Sequence, residues 1–375
     1  MTGQAIGERL SGARSGRAGR PLRVAVLGAG NVGREVVRSL LSGWEGPTFD
    51  LVGVAVRDLP KAEAAGMPHA LLTDAPAHLM TNEIDLVVEL MGGEEPARTL
   101  TLAALAAGIP VVSANKLVIS RHGAELEAEA RRTETPFRFE AAVMGGTPIL
   151  RLLAEDLAGS KILRVRGIVN GTTNYILTEM AMHGTAYEAA LADAQAAGYA
   201  EADPTSDVEG GDSADKLVIL ARLAFGVWLD RNAVATAVEG GRPGITGVTP
   251  ADLAAAAKRG YAIRLLATAR RADDGSIQAG VMPTAVDVLE SISGINGVRN
   301  RVDVETDRLG SISLEGPGAG GHATAGAVLA DLGALIAGHG STWGSMPSAP
   351  AGFGRDLECT LWFTGPSGAR YPVAR

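Results

Sequence analysis

Cysteine, lysine, net positive charge and long apolar runs are all scarce in this chain, and each shortage closes a class of function. Cys359 is the single cysteine among 375 residues, so an intrachain disulfide and a thiolate metal cluster are excluded and nothing points to an oxidising compartment. A cytoplasmic location is the expectation. The 34 Lys and Arg are outnumbered by 42 Asp and Glu, for a net charge of −8. Nucleic acid and anionic membrane surfaces are bound through clustered positive charge, so neither is expected as a partner. No apolar run reaches the length that spans a bilayer. Lysine occurs only at Lys61, Lys116, Lys161, Lys216 and Lys258, with arginine far commoner. A lysine inside a motif is therefore not explained by composition.

What is present is a globular chain, 46% hydrophobic and longer than one core usually serves, which predicts two domains. Residues 1–20, rich in Gly, Ser and Arg without apolar periodicity, read as a disordered tail, with a transit peptide as the competing reading. From Leu22 to Leu41 an apolar run passes through glycines into helical periodicity at Val32, Val36, Val37 and Leu40. Gly28, Gly30 and Gly33 fit G-x-G-x-x-G: a tight turn, an open approach for a pyrophosphate, and close helix packing. The following strand runs to Asp58. Arg57 at its end suits the 2′-phosphate of NADP, a solvated surface arginine is the equal alternative, and Asp58 keeps NAD open. Two further strands, Ile84 to Gly93 and Ile109 to Lys116, break into small or polar residues at their carboxyl ends, placing Lys116 on a cofactor rim or in a surface salt bridge.

In the second half, Phe137 to Leu150 carries Glu140 into small residues whose carbonyls suit a hard cation, a minority reading on composition. Ile162 to Met180 reads as strand, Asn-Gly turn and a helix capped by Thr172 or Thr173. N–H groups at Gly171 and Thr172 suit a substrate carboxylate, although ordinary capping explains the threonines equally. The segment GYAEADPTSDVEGGDSADK, Gly198 to Lys216, crowds six carboxylates ahead of one lysine. Asp212 reads as the N-cap of the next helix and Asp215 as half of a capping box. That leaves Lys216 unexplained, because a cation in a first helical turn opposes the macrodipole. Asp212 and Lys216 stand i, i+4 and are expected to pair, giving a lysine able to exchange a proton with a substrate hydroxyl. Glu201 and Asp207 suit a substrate ammonium or a water. Calcium lacks the EF-hand spacing here, and a plain solvated loop is the remaining alternative.

Taken in order, VLGAGNVG, ELMGG, SANK, FEAAVMGGTPI, VNGTTNYIL, the acidic segment ending in Lys216 and GPGAGGHATAGAVLADL closely resemble homoserine dehydrogenases over roughly Leu22 to Leu332. The resemblance implies an α/β fold: an N-terminal Rossmann-type doubly wound parallel sheet over residues 21–149 and an α+β catalytic and dimerisation domain over 150–315. A return segment at 316–345 and a tail of unreadable role at 346–375 complete it. It implies NAD(P)-dependent interconversion of L-homoserine and L-aspartate 4-semialdehyde, in threonine, methionine and isoleucine biosynthesis, while the long apolar helix and sheet system of the second half points to a homodimer. Lys216 is then similar to the family's general acid/base, and Asp212 to the aspartate that orients it. Glu201 looks like the family's substrate-binding glutamate and Lys116 like its cleft lysine; with Asp207, Gly171 and Thr172, read above from the residues, they make the expected substrate site. The expected cofactor positions are Gly28, Gly30, Asn31, Val32, Gly33, Arg57, Lys116 and Gly318, with NADP favoured by the reading of Arg57 and NAD open. Glu140, Val143, Gly145 and Thr147 match a structural sodium loop. Many bacterial members continue into an ACT domain, and the residues after Leu332 are too few for one, so an enzyme without ACT-mediated threonine inhibition is the expectation. A catalytically silent dinucleotide sensor and a related dehydrogenase are the rival readings; a cysteine thioester mechanism is disfavoured because Cys359 lies outside every motif.

Overall fold

A computed structural model describes residues 21–43, 49–80, 83–238, 241–349, 351–352 and 354–374. The tail expected over residues 1–20 lies outside the described residues. The chain divides into two compact units, one comprising the chain up to Glu155 with Ala319–Ser348, the other Asp156–Gly318 with Ala349–Arg375.

Six short apolar strands make the sheet of the first unit: β1 (Leu22–Leu27), β2 (Phe49–Ala55), β3 (Leu72–Thr73), β4 (Leu86–Glu89), β5 (Val111–Ser113) and β6 (Phe137–Arg138). They are all parallel, in the order β3-β2-β1-β4-β5-β6. Parallel strands covered on both faces are apolar without alternation, and Val24, Val26, Val87, Val88, Val111 and Val112 are all fully buried. Helices α1 (Asn31–Ser42), α2 (Leu59–Ala64), α3 (Ala97–Ala106) and α4 (Lys116–Arg132) connect them. Helix α1 turns Val36 and Val37 into the core while Arg34 and Arg38 face solvent, the stripe of a helix lying on a sheet.

The second unit is built on β7 (Ile162–Ile168), β9 (Tyr261–Arg271), β10 (Ile277–Asp287), β11 (Arg299–Thr306) and β12 (Gly310–Pro317), which pair antiparallel in the order β12-β11-β7-β9-β10. The two-residue strand β8 (Trp228–Leu229) stands apart from this sheet. Helices α5 (Gly171–His183), α6 (Tyr187–Ala196), α7 (Thr205–Val208), α8 (Gly211–Phe225) and α9 (Pro250–Ala257) complete the unit, with α5 and α8 packed on the sheet. In α8 every residue except Gly211 and Ala224 is buried, including Asp212, Asp215, Lys216 and Arg222. A charge in such a place is tolerated only when paired and hydrogen-bonded. The burial of α8 thus dictates the site described below.

Helix α10 (Gly321–Ile336) returns to the first unit, where Ala325, Val328, Leu332 and Leu335 join Val36 and Val37 in one core. Burying each such Val or Leu contributes about 1.5–3 kcal/mol. The final residues fold onto the second unit. Strand β13 (Ala351–Gly352) pairs with β8, β14 (Arg355–Asp356) with β10, and β15 (Trp362–Thr364) with β16 (Arg370–Pro372) as a hairpin. Ser367 and Tyr371 donate hydrogen bonds of 2.7 and 2.9 Å to Asp252, which also closes a capping box with Thr249 on α9. No helix among the described residues is long and apolar enough to cross a membrane.

Candidate active site

The crowded carboxylates of the acidic segment each have a separate fate. Asp203 closes a local turn by accepting from Thr205 N and Oγ1 at 3.1 and 2.6 Å. Asp215 pairs with Arg231, whose Nε donates at 2.6 Å and whose second nitrogen donates to Gly211 O at 3.0 Å. Glu201 and Glu209 are exposed. Asp207 and Asp212 turn inward to a cluster around Lys216.

Lys216, 8% exposed, donates from Nζ to Asp212 Oδ2 at 2.8 Å and to the carbonyl of Val169 at 2.6 Å. Val169 and Asn170 join β7 to α5. The Asn170 amide donates to Asp212 Oδ2 at 2.8 Å and to Asp207 Oδ1 at 2.7 Å, and its Oδ1 accepts from Thr173 N at 2.8 Å and Thr173 Oγ1 at 3.0 Å. The i, i+4 pairing of Asp212 with Lys216 read from the sequence is present. An ammonium carries three N–H groups; two are engaged, leaving one direction for a ligand hydroxyl.

Four details of the sequence reading are corrected. The N-cap of α8 is Gly210, at φ 85°, rather than Asp212. Asp212 is inside the helix, and Asp215 makes an ion pair instead of a capping box. Lys216 consequently lies in the second turn, where the unfavourable dipole has faded. Asn170, not Thr172 or Thr173, caps α5. Thr172 instead donates from Oγ1 to Tyr199 O at 2.6 Å, fastening the start of α5 to the segment that carries Glu201. The sequence reading missed Asn170 and the Val169 carbonyl. An asparagine directly before Gly-Thr-Thr at a strand-to-helix junction is the available signal for the first; a backbone carbonyl leaves none. The carboxylate of Glu201 is outside this network.

In the first unit, β1 runs into Gly28 at φ 100°, whose N–H donates to Ala55 O at 2.9 Å. A Cβ on Gly28 would meet the Leu90 carbonyl oxygen at 2.6 Å, and one on Gly33 would meet the Gly28 carbonyl at 2.1 Å. At Gly30 a Cβ meets nothing within 4 Å. The outer glycines are thus required by packing, and the middle one is open to an approaching ligand. No side chain among the described residues caps α1, which leaves the N–H groups of its first turn, at Asn31, Val32 and Gly33, for a ligand at the helix start. This arrangement fits a dinucleotide pyrophosphate. Arg57 is exposed just beyond β2, while Asp58 caps α2 by accepting from Lys61 N at 3.0 Å.

Lys116 is the first residue of α4, half-buried at the carboxyl end of β5. Beside it a buried carboxylate holds the neighbouring loops. Glu89, 0% exposed, accepts from Ser113 Oγ at 2.6 Å and Met91 N at 2.8 Å. Burial pushes its carboxyl up to about 7 against those hydrogen bonds. Asn115 donates to the carbonyls of Met91 and Gly93 at 3.2 and 2.9 Å and caps α4 through Val118 N.

Glu140 follows β6 and accepts from Leu150 N and Arg151 N, both at 2.9 Å. Burial, reinforced by Asp331, raises its carboxyl to about 7. Asp331 on α10 accepts from Arg138 Nε at 2.7 Å and Glu140 N at 2.8 Å, fastening the return helix to this loop. The hydroxyl of Thr147 is buried without a hydrogen-bond partner among the described residues, and a Cβ on Gly145 would collide with Thr324 at 2.4 Å. Val143 is fully buried beside them. Among the described residues no group of three or more His, Cys, Asp or Glu clusters as a metal site. Gly318 ends the second unit, packed so closely that its Cβ would fall 1.9 Å from Asn300 Nδ2.

A family model described as homoserine dehydrogenase matches residues 148–332, and another, described as the NAD binding domain of homoserine dehydrogenase, matches residues 28–140. The chain is 43% identical over 353 residues to a homoserine dehydrogenase of Mycobacterium tuberculosis, covering 89% of this chain and 78% of that one. Its structure is similar to that of a homoserine dehydrogenase from Thiobacillus denitrificans, with a TM-score of 0.80 and 39% identity, over 88% of this chain and 80% of that one. A hyperthermophilic archaeal homoserine dehydrogenase mutant in complex with NADPH is similar at a TM-score of 0.70 and 27% identity, over 84% and 97% of the two chains. With a nucleotide-binding parallel sheet, a second mixed sheet and these matches along most of its length, the chain belongs to the homoserine dehydrogenase family, NAD(P)-dependent oxidoreductases acting on a hydroxyl group.

Proposed function

We propose that Lys216 is the general acid/base of this homoserine dehydrogenase. The observation that carries the reading is the buried ammonium held by Asp212 and the Val169 carbonyl with one N–H direction left over. In the direction of oxidation, Lys216 as the free amine takes the proton of the homoserine hydroxyl; in reduction its ammonium returns a proton to the carbonyl oxygen of L-aspartate 4-semialdehyde. Asp212 orients Nζ in both. The bound nicotinamide accepts or supplies the hydride.

Recognition of the substrate is assigned to the surroundings of this pair. Asp207 and Glu201 attract its ammonium, and Lys116 is given a substrate or cofactor contact. The N–H groups of Gly171 and Thr172 receive its carboxylate. In support, Asn170 takes up the Thr173 N–H, so the first two N–H groups of α5 have no partner among the described hydrogen bonds. NADP is the cofactor favoured, because the exposed Arg57 suits a 2′-phosphate and Asp58 is committed to capping α2. The turn Gly28, Gly30, Asn31, Val32 and Gly33 holds the pyrophosphate, with Gly318 at the start of the return segment as a further cofactor position.

A sodium ion fits Glu140 and the carbonyls of Val143, Gly145 and Thr147, supported by the partnerless buried hydroxyl of Thr147. The role is structural. The same reading places the enzyme in the cytoplasm, in threonine, methionine and isoleucine biosynthesis, as a homodimer; the single cysteine and the extended apolar sheet and helices of the second unit support it.

The recognition half is tested by comparing L-homoserine with 4-hydroxybutanoate, which lacks the ammonium, in both wild type and Asp207→Ala, with NADP and with NAD. The wild type is expected to prefer homoserine by about tenfold or more in kcat/KM, and Asp207→Ala to lose most of that preference. Equal preference in both proteins would remove Asp207 from the ammonium site.

A further inference from the structure

Asn170 caps α5 through Oδ1, but the two contacts of its NH2 group go beyond helix capping. The residue is 5% exposed, and all of the hydrogen-bonding capacity of its side chain is directed. Oδ1 faces Thr173 N–H, an obligatory donor, and this fixes which way the amide points. Turned over, it would set its oxygen against two carboxylates and its NH2 against a backbone N–H. In the observed orientation one hydrogen goes to Asp207 on α7 and the other to Asp212 on α8. Two like charges are thereby held on either side of one neutral donor. Asp212 Oδ2 receives Asn170 Nδ2 and Lys216 Nζ together, so both hydrogen bonds aim the same oxygen.

We infer that Asn170 is a positioning residue for the reaction: it bridges Asp207 and Asp212 and assigns Asp212 to Lys216. The inference rests on Lys216 being the acid/base. Without the bridge, the two carboxylates repel each other and one of them protonates more readily, so the pair no longer holds Nζ in one place. Val169, the residue before Asn170, supplies the carbonyl on the other side of Nζ. The β7–α5 connection therefore fixes both partners of the lysine through two consecutive residues. Few side chains serve all three roles. Aspartate caps the helix but brings a third carboxylate; serine caps it but lacks the two-hydrogen donor; glutamine has the donor but is a poor N-cap.

The test separates capping from bridging. Asn170→Ser keeps an oxygen for Thr173 N–H and removes the bridge. Its thermal unfolding is expected to stay close to wild type, with kcat for L-homoserine oxidation lower by about 10- to 100-fold. The acidic limb of its kcat/KM profile should move to higher pH, and the KM for NADP should be unchanged. Wild-type kcat and an unshifted profile in a folded Asn170→Ser would overturn the inference. Should that variant fail to fold, the near-isosteric Asn170→Asp decides: reduced kcat with a shifted acidic limb supports the bridge, and wild-type behaviour removes it. Lys216→Ala measured alongside keeps the two readings apart. If it is active, the acid/base assignment itself is lost; if it is inactive while Asn170→Ser is unaffected, only the positioning role falls.

Discussion

The phosphate turn after β1 and the acid–base cluster around α8 are made in opposite ways. The turn is backbone: three glycines within six residues, two of them pressed against carbonyls and the third open. The cluster is side chains and one carbonyl gathered from three elements, with Asn170 and Asp212 separated by 42 residues and Lys216 and Val169 by 47. The turn is shaped by what it omits, since any Cβ at its outer glycines collides. The cluster is shaped by what burial demands, since α8 cannot carry its charges inward without partners. A backbone site should tolerate change at its open position and fail at its packed ones. A buried ion cluster should fail at every member.

The largest break in that comparison is expected at Asp212. Asp212→Asn keeps the shape and removes the charge opposite Lys216; turnover should fall by roughly 10²-fold or more, with stability also lowered because a buried ammonium loses its counter-charge. Steady-state kinetics with urea denaturation check both. Next come the glycines. Gly33→Ala should lower stability by about 1–3 kcal/mol through overpacking and weaken NADP binding, whereas Gly30→Ala should unfold like wild type and only raise the KM for NADP. Calorimetry and cofactor titration separate them, and equal stability loss in both would break the distinction between packed and open positions. Arg57→Ala should raise the KM for NADP by about tenfold while leaving that for NAD nearly unchanged.

The smallest effect concerns Glu89. Its carboxyl is raised to about 7 in the folded protein, so the folded state holds a proton that the unfolded chain releases. That contribution is complete below the ordinary glutamate range and disappears as pH rises through 7. Glu89 should therefore contribute a drop of about 1 kcal/mol between pH 6 and pH 8, beside one of the same sign from Glu140, so the slope should be shallower in Glu89→Gln. Urea midpoints at the two pH values read it directly. Stability that rises over this interval in the wild type would contradict the assignment.

The same contrast explains what the sequence disclosed. Gly28, Gly30 and Gly33 are adjacent and their spacing is dictated by sterics, so the turn and the parallel sheet around it could be read in order along the chain. Pairing of Asp212 with Lys216 was legible because four residues span one helical turn. The start of α8 was misjudged, since Asp212 is a good N-cap by type, yet Gly210 takes that place in a left-handed conformation and leaves Asp212 free to pair inside the helix. The partners of Asp207 and Asp215 were not legible at all. They come from Asn170 and Arg231, and only packing of α5, α7 and α8 brings these together. The seat of Tyr371 on Asp252 was not legible either, because it joins residues 119 apart in the chain.

The most direct test of Lys216 as acid/base is the rate of hydride transfer from L-homoserine to NADP in a single turnover of Lys216→Ala, with NADPH affinity measured on the same preparation. Unchanged NADPH binding and a transfer rate lower by roughly 10²–10⁴ is the expected result. Transfer within a few-fold of the wild type, in protein that binds NADPH normally, would contradict it.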